Sequence, residues 1–416
     1  ESMKHKETIY IIGAGVSGLI AAYELEQKGY QPIIIEQTGE VGGRVKTINE
    51  KGYALDLGFQ VLLSAYPLAK RYLDLDALEL RKLESGALIY VNDKAYRIGD
   101  PLRNWKVLLP TLLSDIGSIS DKLKVLKLNN RLKRKSIHDI FESRETTTLQ
   151  YLVEFGFSSK IIERFFKPFF AGIFLESSIK TSSRMFEFVY KMFGEGYATI
   201  PKLGIGEISN QLKNKLQDTE FIFNSEVKDI TNDKILMVSG ENLPHDGVII
   251  ATNSTSIIRS HKGSDMKWKS CMCLYFEVDQ TNIPINTIAL ISDGGNYANN
   301  LFAYTDDKTG KIILSVTTLD YINKSNTEII ETIISEVKKY TGALKVNFIQ
   351  QYIIKQALPD IQNLKMTVQK GDNQVMDNVF LAGDSLMNGS LNAAMESGCI
   401  AAKTLLEKRK RISLDK

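Results

Sequence analysis

Residues 8–47 read TIYIIGAGVSGLIAAYELEQKGYQPIIIEQTGEVGGRVKT. The run from Thr8 to Ile12 is apolar and β-prone, and glycines at 13, 15 and 18 follow it. Apolar residues then recur at the spacing of an amphipathic helix, which Gly29 can end in a left-handed conformation. A second strand over residues 32–35 leads into Glu36. This order predicts the strand–helix–strand unit of a doubly wound α/β fold.

The three glycines have the spacing G-x-G-x-x-G of a dinucleotide-binding turn. Gly13 permits the tight turn, Gly15 lets a pyrophosphate approach the backbone, and Gly18 lets the helix pack closely on the strand. The helix N-terminus supplies N–H groups and a partial positive charge for that pyrophosphate. Glu36 lies eighteen residues after Gly18, where an acid that binds ribose hydroxyls is expected. A carboxylate there repels a 2′-phosphate, which argues against NADP.

Two further stretches carry a family resemblance. Gly42-Gly43-Arg44, Thr47 and Asp56-Leu57-Gly58 resemble the E-x(5)-G-G-R-x-x-T and D-x-G pattern of one flavoprotein superfamily. It contains flavin amine oxidases, protoporphyrinogen oxidases and phytoene desaturases. The C-terminal stretches 378–384 (NVFLAGD) and 391–398 (LNAAMESG) also resemble it. The phenylalanine-rich residues 164–193 look most like the phytoene desaturase branch.

The resemblance implies FAD as the cofactor. Asp384 would hold the ribityl or pyrophosphate segment, and the helix that begins near Ser390 would point its positive end at the flavin pyrimidine ring. Val227 would present its backbone to the adenine, and residues 58–60 would reach the flavin. The full set of predicted cofactor-binding residues is Gly13, Gly15, Ser17, Gly18, Glu36, Gln37, Gly42, Gly43, Arg44, Gly58, Phe59, Gln60, Val227, Gly383, Asp384, Ser390, Leu391 and Ala394.

The fold predicted from these patterns is a Rossmann-type FAD-binding domain, similar to that of glutathione reductase, with a second, discontinuous α+β domain. Residues 1–100, 197–263 and 364–416 are assigned to the FAD-binding domain. Residues 101–196, which have helical patterns, and 264–363, which have strand patterns and one helix, form the predicted substrate-binding domain. That helix is expected to begin at a capping box, Ser325-x-x-Glu328, and to end before Gly342.

Composition narrows the functional classes. The chain has 416 residues, 43% of them hydrophobic, and a net charge of +3, which is too small to suggest nucleic acid as a partner. No stretch of eighteen apolar residues exists to span a membrane. The three cysteines form no C-x-x-C pair, and the four histidines lack the spacing of metal ligands. We therefore expect neither a disulfide reductase nor a metal site, and a cytoplasmic location.

Two segments of the predicted second domain suggest a substrate chamber and a membrane-binding surface. Residues 155–193 hold ten of the eighteen phenylalanines. Most are expected in the helical core, and several are expected to line an apolar substrate chamber. Residues 101–135 carry nine Lys or Arg against two Asp, next to an apolar stripe that includes Trp105, Leu109, Leu112 and Ile116. An amphipathic basic helix can lie on an anionic membrane, here the inner face. The alternative is that the stripe packs on the core.

The function predicted from this resemblance is an FAD-dependent desaturase or oxidase. It removes hydride from a largely apolar or amphipathic substrate and passes electrons to oxygen or a quinone, because no second dinucleotide site is found. The alternative enzyme is a flavin amine oxidase. Two features argue against it. Amine oxidases often place a tyrosine two residues before the position that matches Asn392, where this chain has Ser390, and often carry a lysine in the strand near Cys271, where residues 270–273 read SCMC. A redox-neutral FAD isomerase and a prenyl-protein-binding module of the same fold also stay open.

No catalytic acid or base is predicted from the sequence. Arg44, Arg164 and Lys167 are candidate cations near the flavin or near a polar end of the substrate. For Arg164 and Lys167, exposure to solvent on a helix is the expectation favoured over such a role.

Overall fold

The computed structural model describes residues 7–84, 86–98, 115–254, 257–258, 266–319 and 324–414. Its helices are α1 Val16–Glu26, α2 Pro67–Tyr72, α3 Ile119–Arg134, α4 Ile137–Glu142, α5 Thr148–Phe155, α6 Ser159–Ile161, α7 Lys167–Phe174, α8 Ser183–Glu195, α9 Glu207–Asn214, α10 Asn326–Thr341 and α11 Leu391–Leu414. A π-helical turn, Ile162–Phe166, joins α6 to α7. A 3₁₀ turn, Asp384–Leu386, precedes α11.

The strands of the first domain build three sheets and one hairpin. They are β1 Ile9–Ile12, β2 Ile33–Ile35, β3 Thr47–Glu50, β4 Tyr53–Asp56, β5 Leu62–Leu63, β6 Leu80–Lys82, β9 Ala198–Pro201, β10 Glu220–Ile222, β11 Val227–Ile230, β12 Lys234–Met237, β13 Asn242–Pro244, β14 Gly247–Ile250, β20 Gln374–Met376 and β21 Val379–Leu381. The strands of the second domain form a single sheet. They are β7 Ala87–Val91, β8 Lys94–Ile98, β15 Trp268–Val278, β16 Thr287–Ile291, β17 Ala298–Thr305, β18 Ile312–Leu319 and β19 Val346–Pro359.

The six-stranded sheet determines where the site lies. Its order is β10-β2-β1-β14-β21-β20, with every pair parallel except β20 and β21. The next strand in the chain, β2, pairs with one edge of β1, and the later strand β14 pairs with the other edge. The strand order therefore reverses at β1, and ligands of open α/β sheets bind at the carboxyl ends of the strands beside such a reversal. Gly13, the first residue after β1, lies at this point.

The second sheet has seven strands in the order β19-β15-β18-β17-β16-β7-β8. Helix α10 packs on one face and buries Ile333 and Val337 against strand residues such as Leu274 and Phe276. The predicted grouping placed residues 87–98 in the FAD-binding domain, but β7 pairs in parallel with β16 and β8 pairs with β7. These two strands thus belong to the second sheet, because β7 adds to its β16 edge.

The helical region packs most of its phenylalanines inward. Phe166, Phe170 and Phe186 are buried and pack against one another with ring centroids 4.7–6.4 Å apart. In α3, Val125, Leu128 and Leu132 are buried, and Ile116 before it is fully buried. Ile116 therefore belongs to the core and not to a membrane-facing stripe. Residues 101–114 lie outside the described residues, so the rest of the stripe stays a prediction.

Several local predictions are confirmed by the element bounds. The side chain of Ser325 accepts a hydrogen bond from the Glu328 N–H, as the first half of a capping box requires, and α10 ends before Gly342, whose φ is +71°. Gly29 has a φ of +83° after the end of α1. None of the helices in the described ranges is long and apolar enough to cross a bilayer.

The close crossing of α1 and α11 joins the two ends of the chain. A Cβ atom added to Gly398 would lie 2.3 Å from the Ser17 carbonyl oxygen and 3.1 Å from the Ile20 Cβ. Only a glycine permits this approach, because the carbonyl belongs to the α1 backbone and cannot move aside. The crossing fixes the helix that follows β1 relative to the helix that follows β21.

We expect Gly398→Ala to lower the free energy of unfolding by about 1–3 kcal/mol, because the added methyl group forces the two helices apart. Urea denaturation of both proteins, with and without FAD, measures the difference. Gly294→Ala is the matched control, since a Cβ there meets no atom within 4 Å. An unchanged unfolding midpoint for Gly398→Ala would show that the crossing tolerates a side chain.

Candidate functional site

A cavity of about 930 Å³ runs from the carboxyl end of β1 to the second sheet. Its volume is near the upper end of the ~300–1,000 Å³ typical of small-molecule sites. Residues near the N-terminus, such as Gly15, and residues near the C-terminus, such as Asp384, line the same cavity. Its far part is lined by α7, α8 and the seven-stranded sheet.

The glycine turn has the geometry that a pyrophosphate requires. Gly13 has a φ of +104°, which a residue with a side chain rarely adopts. A Cβ on Gly18 would lie 2.1 Å from the Gly13 carbonyl oxygen, so this residue permits the tight packing of helix on strand. A Cβ on Gly15, in contrast, would meet no atom within 4 Å, although Gly15 lines the cavity. The open space beside Gly15 therefore lies at the N-terminus of α1.

Glu36 follows β2 and is held by three hydrogen bonds. Its Oε2 accepts from the Ala14 N–H at 2.8 Å. Its Oε1 accepts from the Thr38 N–H at 2.9 Å and from the Thr38 hydroxyl at 3.0 Å. Each carboxylate oxygen carries two lone pairs, so acceptor capacity remains toward the cavity that Glu36 lines. Glu36 therefore both orders the glycine turn and is oriented to accept from ribose hydroxyls.

Arg44 and Asp384 connect the two ends of the chain across the cavity. The Arg44 guanidinium donates to both oxygens of Asp384, at 2.5 and 3.1 Å, and to the Ala357 carbonyl oxygen at 3.1 Å. It also lies 5.4 Å from the centre of the Trp268 ring, in cation–π geometry. The paired, bidentate arrangement fixes the orientation of both side chains at the cavity wall.

The N-terminus of α11 faces the cavity through Leu391 and Ala394. The Ser390 hydroxyl accepts from the Ala393 N–H at 2.9 Å and so caps the helix. It also donates to the Asn388 Oδ1 at 2.6 Å. The positive end of the α11 dipole is thereby directed toward the cavity, and an anionic ring system would be stabilised there.

The D-x-G segment, residues 56–58, and the neighbouring Gln60 hold the cavity wall in place by hydrogen bonds. Asp56 accepts from the Thr47 hydroxyl at 2.8 Å and from the Ile205 N–H at 3.0 Å. Burial raises the pKa of Asp56 to about 6, although these two hydrogen bonds lower it. The Gln60 amide donates to the carbonyl oxygens of Arg44 at 2.8 Å and of Leu57 at 2.9 Å. These bonds hold residues 58–60 along the cavity wall.

Sixteen of the eighteen predicted cofactor-binding residues line this one cavity. Gly18 does not line it, because it acts in the packing of α1 on β1. Val227 does not line it either: its side chain is buried in β11 among Tyr10, Ile35 and their neighbours. Arg164 donates to the Asp115 carbonyl oxygen and Lys167 pairs with Glu163, and neither lines the cavity. The structure therefore leaves Arg164 and Lys167 outside the site.

The far part of the cavity forms a chamber whose walls are mainly apolar, with Thr181, Lys269, Asn300 and Thr317 as polar lining residues. Phe169, Phe174 and Phe193 line it, whereas most other phenylalanines of residues 155–193 are core residues. From the sheet side the chamber is lined by Cys271, Ile288 and Leu290. Burial, followed by the influence of Cys273, raises the pKa of the Cys271 thiol to about 12, so it is neutral at physiological pH. No histidine of the described residues lines the chamber.

Three groups of site residues were missed by the sequence reasoning. Residues 251–254 follow β14, and their position could have been predicted because carboxyl ends of parallel strands meet at one edge. Residues 355–357 line the cavity because the register of β19 shifts between the partners of Lys269 and Cys271. Trp268 and Lys269 precede Cys271, and nothing local in the sequence indicates that they face a cavity.

Comparison with known proteins gives the family. Residues 16–406 match the family described as flavin containing amine oxidoreductase. This chain belongs to that family. Membership confirms the superfamily resemblance and the predicted FAD, because the matched range carries both ends of the cavity.

Individual curated relatives match only part of this chain. The chain is 27% identical to protoporphyrinogen oxidase 2 of Arabidopsis thaliana over 169 residues, 39% of this chain and 32% of that protein. It is 30% identical to an L-amino-acid oxidase of Bothrops moojeni over 158 residues, 36% of this chain and 32% of that protein. The chain thus spans about a third of the length of these curated relatives.

A solved oxidoreductase from Methanosarcina mazei superimposes on this chain with a TM-score of 0.73 at 15% identity. The match covers 96% of this chain and all of that one. At this identity the likeness shows the fold alone, and it confirms the predicted α/β FAD-binding fold with a second domain.

The residues present fit FAD. Open space beside Gly15, a partly free carboxylate at Glu36, the fixed Arg44–Asp384 pair and the capped N-terminus of α11 follow one another along the cavity. They would hold the pyrophosphate, ribose, ribityl and ring portions respectively. A bound flavin supplies the redox chemistry, and the protein supplies orientation and electrostatics.

Replacing Glu36 with Arg is expected to weaken FAD binding by roughly 1–3 kcal/mol, about five- to 150-fold in Kd. The substitution removes a charge-assisted acceptor and releases the Ala14 and Thr38 N–H groups that order the turn. Titration of apoprotein with FAD, followed by flavin fluorescence, measures the Kd. The exposed Glu241→Arg makes the same charge change away from the cavity and should leave Kd unchanged. Equal Kd values for the two variants would remove Glu36 from the site.

Proposed function

We propose that this chain oxidises a largely apolar substrate by removing hydride from a C–H bond onto FAD. The observation that carries the proposal is the apolar chamber joined to the flavin end of the cavity. Gly58, at the flavin end, lies against Ile354: a Cβ atom added to Gly58 would be 2.8 Å from the Ile354 Cδ1. Ile354 in turn pairs with Cys271 of the chamber wall. A substrate in the chamber is therefore adjacent to the predicted flavin ring.

The protein's contribution is to bind and orient the substrate. Phe169, Phe174 and Phe193 provide apolar contact area for the substrate. A flavin held by Glu36, Arg44 and Asp384 would supply the hydride acceptor. The substrate would lose a hydride to it and a proton from the neighbouring carbon to water, which would leave a double bond. The chamber offers no histidine within the described residues, which favours substrates whose neighbouring proton needs no strong base. Reoxidation by oxygen or a quinone completes the proposed cycle.

Two relatives suggest other substrates. The names of the similar proteins include amino-acid and protoporphyrinogen oxidases. Against an amine or amino acid, Ser390 at the N-terminus of α11 stands where amine oxidases often carry a tyrosine. The carboxylates that line the cavity in the described ranges, Glu36 and Asp384, both lie at the nucleotide end. A cationic amine therefore finds no counter-charge in the chamber wall.

Anaerobic mixing of the FAD-loaded protein with a panel of polyenes, porphyrinogens and amines tests the proposal by flavin bleaching. We expect bleaching by an apolar polyene or related hydrocarbon, and none by primary amines, amino acids, NADH or NADPH. Bleaching by an amine, with peroxide released on admitting air, would replace the proposal with an amine oxidase. A protein that takes up FAD but is reduced by no member of the panel would favour the isomerase, and one that takes up no FAD would favour the binding module.

We also propose that the protein associates reversibly with anionic membranes through α3. Lys127, Arg131, Lys133 and Arg134 are exposed on this helix, and the exposed fractions of Ile119 and Leu123 are both 64%. Lys122 is buried and Lys135 pairs with Glu187, so these two do not contribute to that surface. The membrane-bound protein would then lie next to a substrate that is dissolved in the bilayer.

Sedimentation with anionic or neutral liposomes, at low and high salt, measures this association. We expect binding to anionic liposomes at low salt only, because each basic residue near an anionic surface contributes about 1 kcal/mol and salt screens it. Replacing Arg131, Lys133 and Arg134 together with alanine should abolish it. A triple replacement of the exposed Lys308, Lys338 and Lys345 is the control. Equal recovery in the supernatant under all conditions would end the membrane proposal.

A further inference from the structure

We infer that Lys269 donates a hydrogen bond to a neutral oxygen atom of the substrate, such as a ketone, hydroxyl or ether oxygen. The substrate class is then an apolar molecule with one uncharged oxygen function at the end that reaches Lys269. This inference deepens the proposed function and rests on it, because it takes the chamber as the place where the substrate binds.

The first observation is the bonding of the Lys269 ammonium. Its Nζ lies 3.1 Å from the Glu176 Oε2 and 2.7 Å from the Thr181 Oγ1. The side chain is 12% exposed, and both Lys269 and Thr181 line the cavity. An ammonium group has three donors. Two are used by these partners, and the third has no partner in the described part of the chain.

The second observation is the charge balance. Glu176 does not line the cavity, and its Oε1 accepts from the Thr181 N–H and, at 2.6 Å, from the Thr181 hydroxyl. The carboxylate therefore neutralises Lys269 from behind, and the chamber sees a hydrogen-bond donor without net charge. A carboxylate ligand would leave one uncompensated negative charge in the chamber, because Glu176 already neutralises Lys269. An ammonium ligand can only donate hydrogen bonds, so it could not accept one from Lys269. Burial of either uncompensated charge is costly, whereas a neutral oxygen meets no such penalty.

The third observation is the strain of the loop that carries Glu176 and Thr181. This loop connects α7 to α8. Leu175 has a φ of +54° and Ile179 a φ of +41°, both in the left-handed region that residues with side chains avoid. For a β-branched residue such as Ile179 this is a true outlier. Strained backbone persists where the surroundings impose it, and it clusters at functional sites. A loop that existed only to fill space would not need to hold a glutamate in this position.

Stability alone does not explain the ion pair. Replacing a buried ion pair by apolar residues of similar volume is often neutral or stabilising. A lysine and a glutamate kept at the wall of an apolar chamber therefore point to ligand recognition. Lys269 lies on β15, two residues before Cys271 of the chamber wall, and both residues line the cavity.

The test compares four ten-carbon probes that differ only at one end: decan-2-one, decane, decanoate and decylamine. Each is titrated into FAD-loaded protein, and Kd is read from the change in the flavin visible spectrum, which needs no turnover. We expect decan-2-one to bind about ten- to a hundredfold more tightly than decane, as a hydrogen bond from a charged donor gives. Decanoate and decylamine should bind no better than decane. Lys269→Met should make decan-2-one and decane equal.

Two variants sharpen the result. Glu176→Gln leaves the charge of Lys269 unbalanced, so decanoate should become the tightest probe. Lys311→Met is the control, because Lys311 and Glu277 also pair at 3.1 Å on the same sheet but neither residue lines the cavity. It should leave all four Kd values unchanged. The flavin content of each variant is measured first; if Lys269→Met loses FAD, the wild-type ranking and Glu176→Gln decide.

The inference is overturned if wild-type protein binds decan-2-one and decane equally, binds decanoate most tightly, or binds none of the probes. It is also overturned if FAD-loaded Lys269→Met keeps the preference for the ketone. Failure of the proposed function has a different signature, namely a correct probe ranking in a protein whose flavin no apolar substrate reduces.

Discussion

The contact between the Ser17 carbonyl oxygen and the backbone of Gly398 is the constraint on which the rest of the site depends. It sets the spacing of α1 and α11 at a distance that no side chain at position 398 would allow. The Ser397 hydroxyl, which accepts from the Gly383 N–H at 2.8 Å, connects the same crossing to the loop after β21. Because α1 and α11 are held together, the phosphate-binding turn and Asp384 open into one cavity, and Arg44 can reach across it.

The predictable parts of this molecule are those encoded within short segments. The conformation of Gly13, the close packing at Gly18 and the cap at Ser325 each follow from the residue and its immediate neighbours. Glu36 could be placed in the site from its distance to the glycines alone. Its bonds to Ala14 and Thr38 could not, because they depend on how the loop after β2 turns back toward β1.

The parts that could not be predicted depend on contacts between distant segments. The pairing of β7 with β16 joins residues about two hundred positions apart, and either strand pattern would fit several partners. The phenylalanines pose a related problem, because helix faces toward a core and toward an apolar chamber have the same hydrophobic pattern. Phe169 and Phe170 are adjacent in sequence, yet Phe169 lines the chamber and Phe170 is a core residue. Lys269 reads as an ordinary strand lysine until Glu176 and Thr181 are placed beside it.

Residues from both ends of the chain line one cavity, so a flavin bound there would stabilise the folded protein. A ligand that binds only the folded state stabilises it by about 2.7 kcal/mol when present at a hundred times its Kd. Here that ligand would bridge segments separated by more than three hundred residues, so its loss would remove one of the links between them. Newly made chains that find no flavin would be more often open and more often degraded. Bound flavin would thus be a second link between the two ends of the chain, beside the Ser17–Gly398 crossing.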